Sequence, residues 1–234
     1  MCAQNKDGGK NGGKRKDGRN IEWDMIIRRL EEWRGGLEEP SVTTIAGLYK
    51  KDAWAVLAST ILSLRTKDAV TLKASKKLLA AAPSAQDILN LTETEIQELI
   101  YPAGFYKTKA ANLKKISAIL VEKYNGRPPA SMEELLALPG VGRKTANLTL
   151  IEAYDMDGIC VDVHVHRISG RLGWTSEKTP DDTEMALREI MPRMFWKRIN
   201  ALLVLYGQNV CRPVSPHCGS CVISAYCENN LTAS

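Results

Sequence analysis

No apolar run in this sequence approaches the roughly 18 uncharged residues that a membrane-spanning helix needs, which excludes a transmembrane protein. The first 20 residues also lack the apolar stretch of a secretory signal, so an intracellular, reducing setting is expected. Internal repeats and long low-complexity linkers are missing too, and candidates for paired strands are few. Even the positive charge is scarce outside one place. The 234 residues carry a net charge of +5, but residues 1–20 hold six basic side chains against two acidic ones, which leaves the rest close to neutral. With 44% apolar and 25% charged residues, that remainder has an ordinary globular composition.

Residues 1–20 are rich in Gly, Asn and Lys and have nothing apolar to bury beyond Met1 and Cys2, so a disordered basic arm is expected. Such an arm is either an electrostatic tether to nucleic acid or a solvated tail, and composition favours the tail. The cysteines are more informative. Cys211, Cys218, Cys221 and Cys227 fall within seventeen residues in the spacing C-x6-C-x2-C-x5-C. In a reducing compartment this suits metal ligation better than two disulfides. Four thiolates can wrap a tetrahedral zinc ion or a four-iron cluster. One C-x2-C knuckle flanked by longer gaps, rather than two paired knuckles, favours the cluster.

The hydrophobic period is helical from Ile21 onward. It predicts helices over 21–33 (stopped by Gly35-Gly36), 52–64, 67–82, 84–89, 92–100, 109–124, 132–136, 142–153, 163–171, 182–191 and 194–206. Thr92 followed by Glu95 is a capping box. Residues 159–166 alternate apolar and polar side chains as a strand would, but a lone short strand leaves its backbone groups unpaired. They are therefore read as an extended lead-in to the helix at Val163. The expected fold class is all-α, in two units.

Residues 138–147, LPGVGRKTAN, end one short helix and begin another. Gly140 and Gly142 permit a tight hairpin and leave backbone N–H groups at the next helix's N-terminus, a place suited to a DNA phosphate. Lys144 lies on the first turn, where the positive end of the helix dipole and Arg143 disfavour a further positive charge and leave an amine fit for nucleophilic attack. A phosphate-binding surface lysine is the plainer alternative. Asp162, between Val161 and Val163, should be partly buried, either as the cap of the following helix or as a carboxylate with a chemical task.

On LPGVGRKTAN with Lys144, VDVHVHR with Asp162 eighteen residues later, and the four-cysteine run, the chain closely resembles the endonuclease III family of helix-hairpin-helix DNA glycosylases over roughly residues 21–228. The resemblance implies a helical-bundle domain with the hairpin and an iron-sulfur-cluster domain. It maps residues 1–20 to the arm, 21–45 to an N-terminal helix packing with the cluster domain, 46–155 to the bundle and 156–234 to the cluster domain. It implies a DNA-associated monomer, in nucleoid or nucleus, that binds double-stranded DNA containing damaged pyrimidines or abasic sites and flips the damaged nucleotide out of the stack.

In that resemblance Lys144 is the nucleophile at C1′ and Asp162 the catalytic carboxylate, and Cys211, Cys218, Cys221 and Cys227 hold a 4Fe-4S cluster. Gly140, Val141, Gly142 and Arg143 contact the DNA backbone, as does Arg212 in the loop between the first two cysteines. Ser63, Asp68 and His164 line the base pocket. Phe105 takes the place of a wedge between base steps. Arg65 stands where the family usually has Gln to fill the vacated space, and its donor-only head prefers acceptors such as guanine O6 and N7, so an altered opposite-base preference is expected. Arg65 echoes the thymine-mismatch branch of the superfamily, but that branch usually carries tyrosine at the position of Lys144. Another damaged-base or mismatch glycosylase, or a non-catalytic iron-sulfur DNA-binding protein, are the competing readings.

Overall fold

The structure, a computed structural model, describes Gly13 and residues 20–229. Apart from Gly13 and Asn20, the predicted basic arm lies outside the described residues. Among those residues the regular structure is helical, without a strand: α1 (Trp23–Arg34), α2 (Ser41–Leu48), α3 (Ala53–Ser63), α4 (Asp68–Ala81), α5 (Ala85–Asn90), α6 (Glu93–Ile100), α7 (Tyr106–Tyr124), α8 (Met132–Leu136), α9 (Arg143–Tyr154), α10 (Val163–Arg171), α11 (Pro180–Ile190) and α12 (Trp196–Asn209). Among the described residues, no helix is long and apolar enough to cross a membrane. The chain divides into two compact units, one running from Gly36 to Asp162 and the other made of the described residues up to Gly35 together with those from Val163.

The Gly36–Asp162 unit is built around α3, which is buried on every side from Ala53 to Leu62 because its sequence offers no polar face. Helices α2, α4, α7 and α9 pack on it, and Leu57, Ile61, Leu78, Ile88, Ile100, Leu113, Ile116 and Leu120 form a continuous core. Side-chain caps fix where the helices start. Asp52 accepts from the Ala55 N–H at 2.8 Å to begin α3, and the Thr92–Glu95 box expected at α6 is matched by a second box, Ser84–Asp87, at α5.

Helix α2 has no counterpart in the periodicity. Its sequence, SVTTIAGL, carries β-branched residues and a glycine, so its intrinsic helix propensity is low. Tertiary bonds hold it. The Asp68 carboxylate accepts from the Ser41 N–H (3.2 Å) and hydroxyl (2.5 Å), and the Thr43 hydroxyl donates to Glu152 Oε1 on α9 at 2.8 Å. Elsewhere the differences are at helix ends. Helix α7 starts at Tyr106 rather than 109, α11 starts after the Thr179 cap with Pro180 at its first position, and a short 3-10 turn (Arg193–Phe195) precedes α12. Residues 159–162 are extended without a pairing strand, and Val163 opens α10.

In the other unit α1 and α10 pack on α12, and α11 on α10. Trp23 meets Trp174 at 4.6 Å between ring centroids, and Trp33 meets the fully buried Tyr206 edge-on at 4.7 Å.

Glu152 yields a test of the α2–α9 contact. Its carboxyl is pushed above the usual range, first by burial and then by Glu39, with the Thr43 bond and Lys51 opposing. A folded-state pKa raised above the unfolded one contributes stability at low pH that is lost as pH rises through the folded value. Glu152→Gln keeps an acceptor for Thr43 and removes the penalised charge. In urea unfolding, the variant should be more stable than wild type at about pH 7, with the gap closing by about pH 4.

Candidate active site

The reactive geometry begins with the hairpin between α8 and α9. Leu135, Leu138 and Val141 are buried and anchor it, while Gly140 and Gly142 are exposed at its tip. Gly140 has φ +76°, and a Cβ there would lie 2.5 Å from Asn112 Nδ2. Gly142, at φ −99° and ψ 178°, occupies the N-cap of α9 without a side-chain cap. The first intrahelical bond runs from Ala146 N to Gly142 O at 2.9 Å, so the first-turn N–H groups point away from the helix body.

Asp162 is brought to this helix by the extended segment before it. Gly158 lies against α9, where a Cβ would sit 3.1 Å from Asn147 Oδ1 and 3.3 Å from Ile151. Two residues on, the buried Cys160 directs its thiol to Lys144 O at 3.7 Å and packs with Val42, Ala46, Val56, Leu148 and Ile151. Two residues further, Asp162 Oδ2 is 3.8 Å from Lys144 Nζ, with the lysine side chain 31% and the aspartate 9% exposed. The pair thus joins a largely buried carboxylate to a lysine side chain that stays partly open to solvent.

A second cluster forms where the loop after α3 meets the loop before α7. Arg65 and Phe105 both adopt the left-handed backbone region, at φ +51° and +56°, which is strained for non-glycine residues. Both are exposed, and the Arg65 guanidinium stands 5.3 Å from the centre of the Phe105 ring. Beneath them is a residue to which sequence assigned no role. Lys109 is 5% exposed, and its ammonium donates to Leu62 O (2.7 Å), Leu64 O (2.6 Å) and Thr66 Oγ1 (2.8 Å). Burial pushes its pKa down to about 8. The signal was present: 109, 113, 116 and 120 share one face of α7, so a lysine occupies a core position.

The three base-pocket candidates are engaged locally. The Ser63 hydroxyl donates to Thr60 O at 2.7 Å, and Asp68 is bonded to Ser41 as described. His164 Nδ1 lies 3.2 Å from Arg167 Nη2 and rests on Gly207 of α12. Arg212 is exposed in its loop.

Cys211, Cys218, Cys221 and Cys227 line one cavity of about 280 Å³. Among the described residues, no group of three or more Cys, His, Asp or Glu side chains converges tightly enough to hold a single metal ion. The cavity suits a bulkier group carried by thiolates. Sulfur-directed donors surround it: the Tyr206 hydroxyl is 3.1 Å from Cys221 Sγ, and Arg171 Nη1 is 3.3 Å from Cys211 Sγ. The same guanidinium holds Arg212 O at 2.7 Å and Pro213 O at 2.9 Å. Burial pushes the Cys221 and Cys227 thiols up, and the neighbouring cysteines add to it, so a set of thiolates here requires a compensating cation.

The helical architecture and hairpin define a class: residues 58–193 match the HhH-GPD superfamily of base excision DNA repair proteins. The chain is 46% identical over 177 residues to endonuclease III of Thermotoga maritima, covering 76% of this chain and 83% of that protein. It is 45% identical over 177 residues to mouse endonuclease III-like protein 1, covering 74% of this chain and 59% of that one. Its structure superposes on that of a non-covalent endonuclease III–DNA complex with a TM-score of 0.75 at 29% identity, covering 90% of this chain and 97% of the other. The chain belongs to the endonuclease III family and is a base-excision-repair DNA glycosylase with abasic-site lyase activity.

The two hairpin glycines should separate stability from binding. Gly140→Ala forces a side chain into positive φ and should lower stability by about 1–2 kcal/mol. Gly142→Ala meets nothing within 4 Å. Its thermal midpoint should match wild type, and its loss should show as weaker binding to an abasic-analogue duplex by fluorescence anisotropy.

Proposed function

We propose that this enzyme removes oxidised pyrimidines from double-stranded DNA as a monomer, with Lys144 as nucleophile and Asp162 as its proton acceptor. The observation that carries the reading is the 3.8 Å pair of Lys144 Nζ and Asp162 Oδ2 at the start of the hairpin's second helix. Gly140, Val141, Gly142 and Arg143 receive a phosphate beside the lesion, and the flipped nucleotide brings C1′ to the amine. Asp162 takes a proton from the Lys144 ammonium, the neutral amine attacks C1′, and the glycosidic bond breaks as the base leaves with a proton. Opening of the sugar gives a Schiff base on Lys144. Loss of a C2′ proton then expels the 3′ phosphate and nicks the strand. A carboxylate 9% exposed also stabilises the positive charge that develops on the sugar.

Arg65 and Phe105 part the base steps and occupy the vacated space, and Arg212 contributes a phosphate contact. Cys211, Cys218, Cys221 and Cys227 would hold a 4Fe-4S cluster, whose binding would order the segment carrying Arg212; excision is assigned to Lys144 and Asp162. Relatives of the family include a chloroplastic protein of Arabidopsis thaliana, so the family works in more than one DNA-containing compartment.

Borohydride trapping on thymine-glycol and abasic duplexes tests the assignment. Lys144→Ala should abolish the covalent adduct, and Asp162→Asn should slow its formation about a hundredfold, the scale of a lost acid-base group. An intact adduct in Lys144→Ala would refute the role of the lysine. For the cysteines, Cys227→Ser should yield protein depleted of iron and of brown colour relative to wild type. A wild-type preparation that is colourless and iron-free would refute the cluster.

A further inference from the structure

The mechanism leaves Lys109 unused, although it is a charged residue in a core position with every ammonium proton committed. Its three acceptors are not scattered. Leu62 O and Leu64 O are carbonyls at the C-terminal end of α3, where the helix leaves acceptors unfilled and its dipole is negative. Thr66 Oγ1 also accepts from Gly104 N at 3.0 Å, which ties the loop after α3 to the loop before α7. The two backbones touch directly as well, because a Cβ on Gly104 would lie 2.3 Å from Arg65 O. Arg65 and Phe105, the neighbours of these contacts, are both held at positive φ. Such backbone strain persists only where the surroundings over-determine it, and the bonds of Lys109 and Thr66 are those surroundings.

Resting on the wedge reading of Arg65 and Phe105, we propose that Lys109 is a positioning residue. Its buried ammonium staples the two loops together and so fixes the paired display of Arg65 and Phe105 on which base flipping and opposite-base choice depend. Removing the ammonium frees the two loops separately, and the guanidinium and ring no longer enter the duplex as one body.

The experiment uses the full chain and a thymine-glycol duplex with 2-aminopurine as the opposite base, whose fluorescence rises when it leaves the stack. Lys109→Met should reduce that rise and the single-turnover excision rate about tenfold, as expected for a lost hydrogen-bond network to a charged group. Its preference between lesions opposite G and A should fall to that of Arg65→Ala, and the double variant should lose no more than either alone. Borohydride trapping on single-stranded abasic DNA, which needs no flipping, should stay at the wild-type level. Thr66→Val, which removes the shared oxygen without stranding a buried charge, should shift the same quantities in the same direction if Lys109→Met does not fold. An effect of Arg65→Ala with wild-type behaviour in the folded Lys109 or Thr66 variant, or additive losses in the double variant, overturns the staple. Wild-type flipping in Arg65→Ala instead overturns the wedge reading, and the staple falls with it.

Discussion

The proposed pairing of Lys144 with Asp162 depends on how one extended segment lies along one helix. Residues 158–162 have no strand to pair with, so their position is set by contacts with α9: a glycine where Asn147 and Ile151 come close, a buried thiol against the Lys144 carbonyl, and then the carboxylate beside the lysine amine. Extended chain advances about 6.6 Å for every two residues with alternating side chains, so Gly158, Cys160 and Asp162 all face α9. A shift by one residue would turn Asp162 away from Lys144 and drive an apolar valine toward it. The small core around Cys160 therefore fixes the spacing of Lys144 and Asp162 as much as it stabilises the unit.

Much of this was legible beforehand. Helices announced by a clear apolar face, such as α10, or by a cap, such as α6, fall where the pattern puts them, and the extended lead-in before Val163 follows from the absence of any partner strand. Helix α2 was invisible because its causes are distant: Ser41 needs Asp68, and Thr43 needs Glu152, neither of which a local window contains. At the site, the motif predicts that Lys144 and Asp162 belong together, but only the packing of Gly158 and Cys160 accounts for the distance. Asp68 illustrates the opposite case. From sequence, a helix-capping role for it weighs about equally with a place in the base pocket, and its bonds to the Ser41 N–H and hydroxyl, which start α2, favour the cap.

The cysteine segment follows a different logic. Few buried apolar side chains belong to residues 211–229, and its shape relies on polar anchors from earlier elements: Arg29 of α1 donates to Val222 O at 3.1 Å, Tyr206 of α12 accepts from Val222 N at 3.0 Å, and Arg171 of α10 gathers the carbonyls of Arg212 and Pro213. These anchors grip the backbone from outside while the thiols face inward. A segment held this way keeps its outline through the geometry of a few donors.

The contact between Gly104 and Arg65 has a consequence for how such an enzyme can diversify. The bonds that join the two loops run through backbone atoms, Thr66 and Lys109, none of which belongs to the exposed tips. The side chains at 65 and 105 can therefore be exchanged without disturbing the frame beneath them. Frame and tips are separable modules, and on the proposed wedge role of Arg65 and Phe105 a change of partner-base preference would be open to single substitutions at the surface while Lys144 and Asp162 stay as they are.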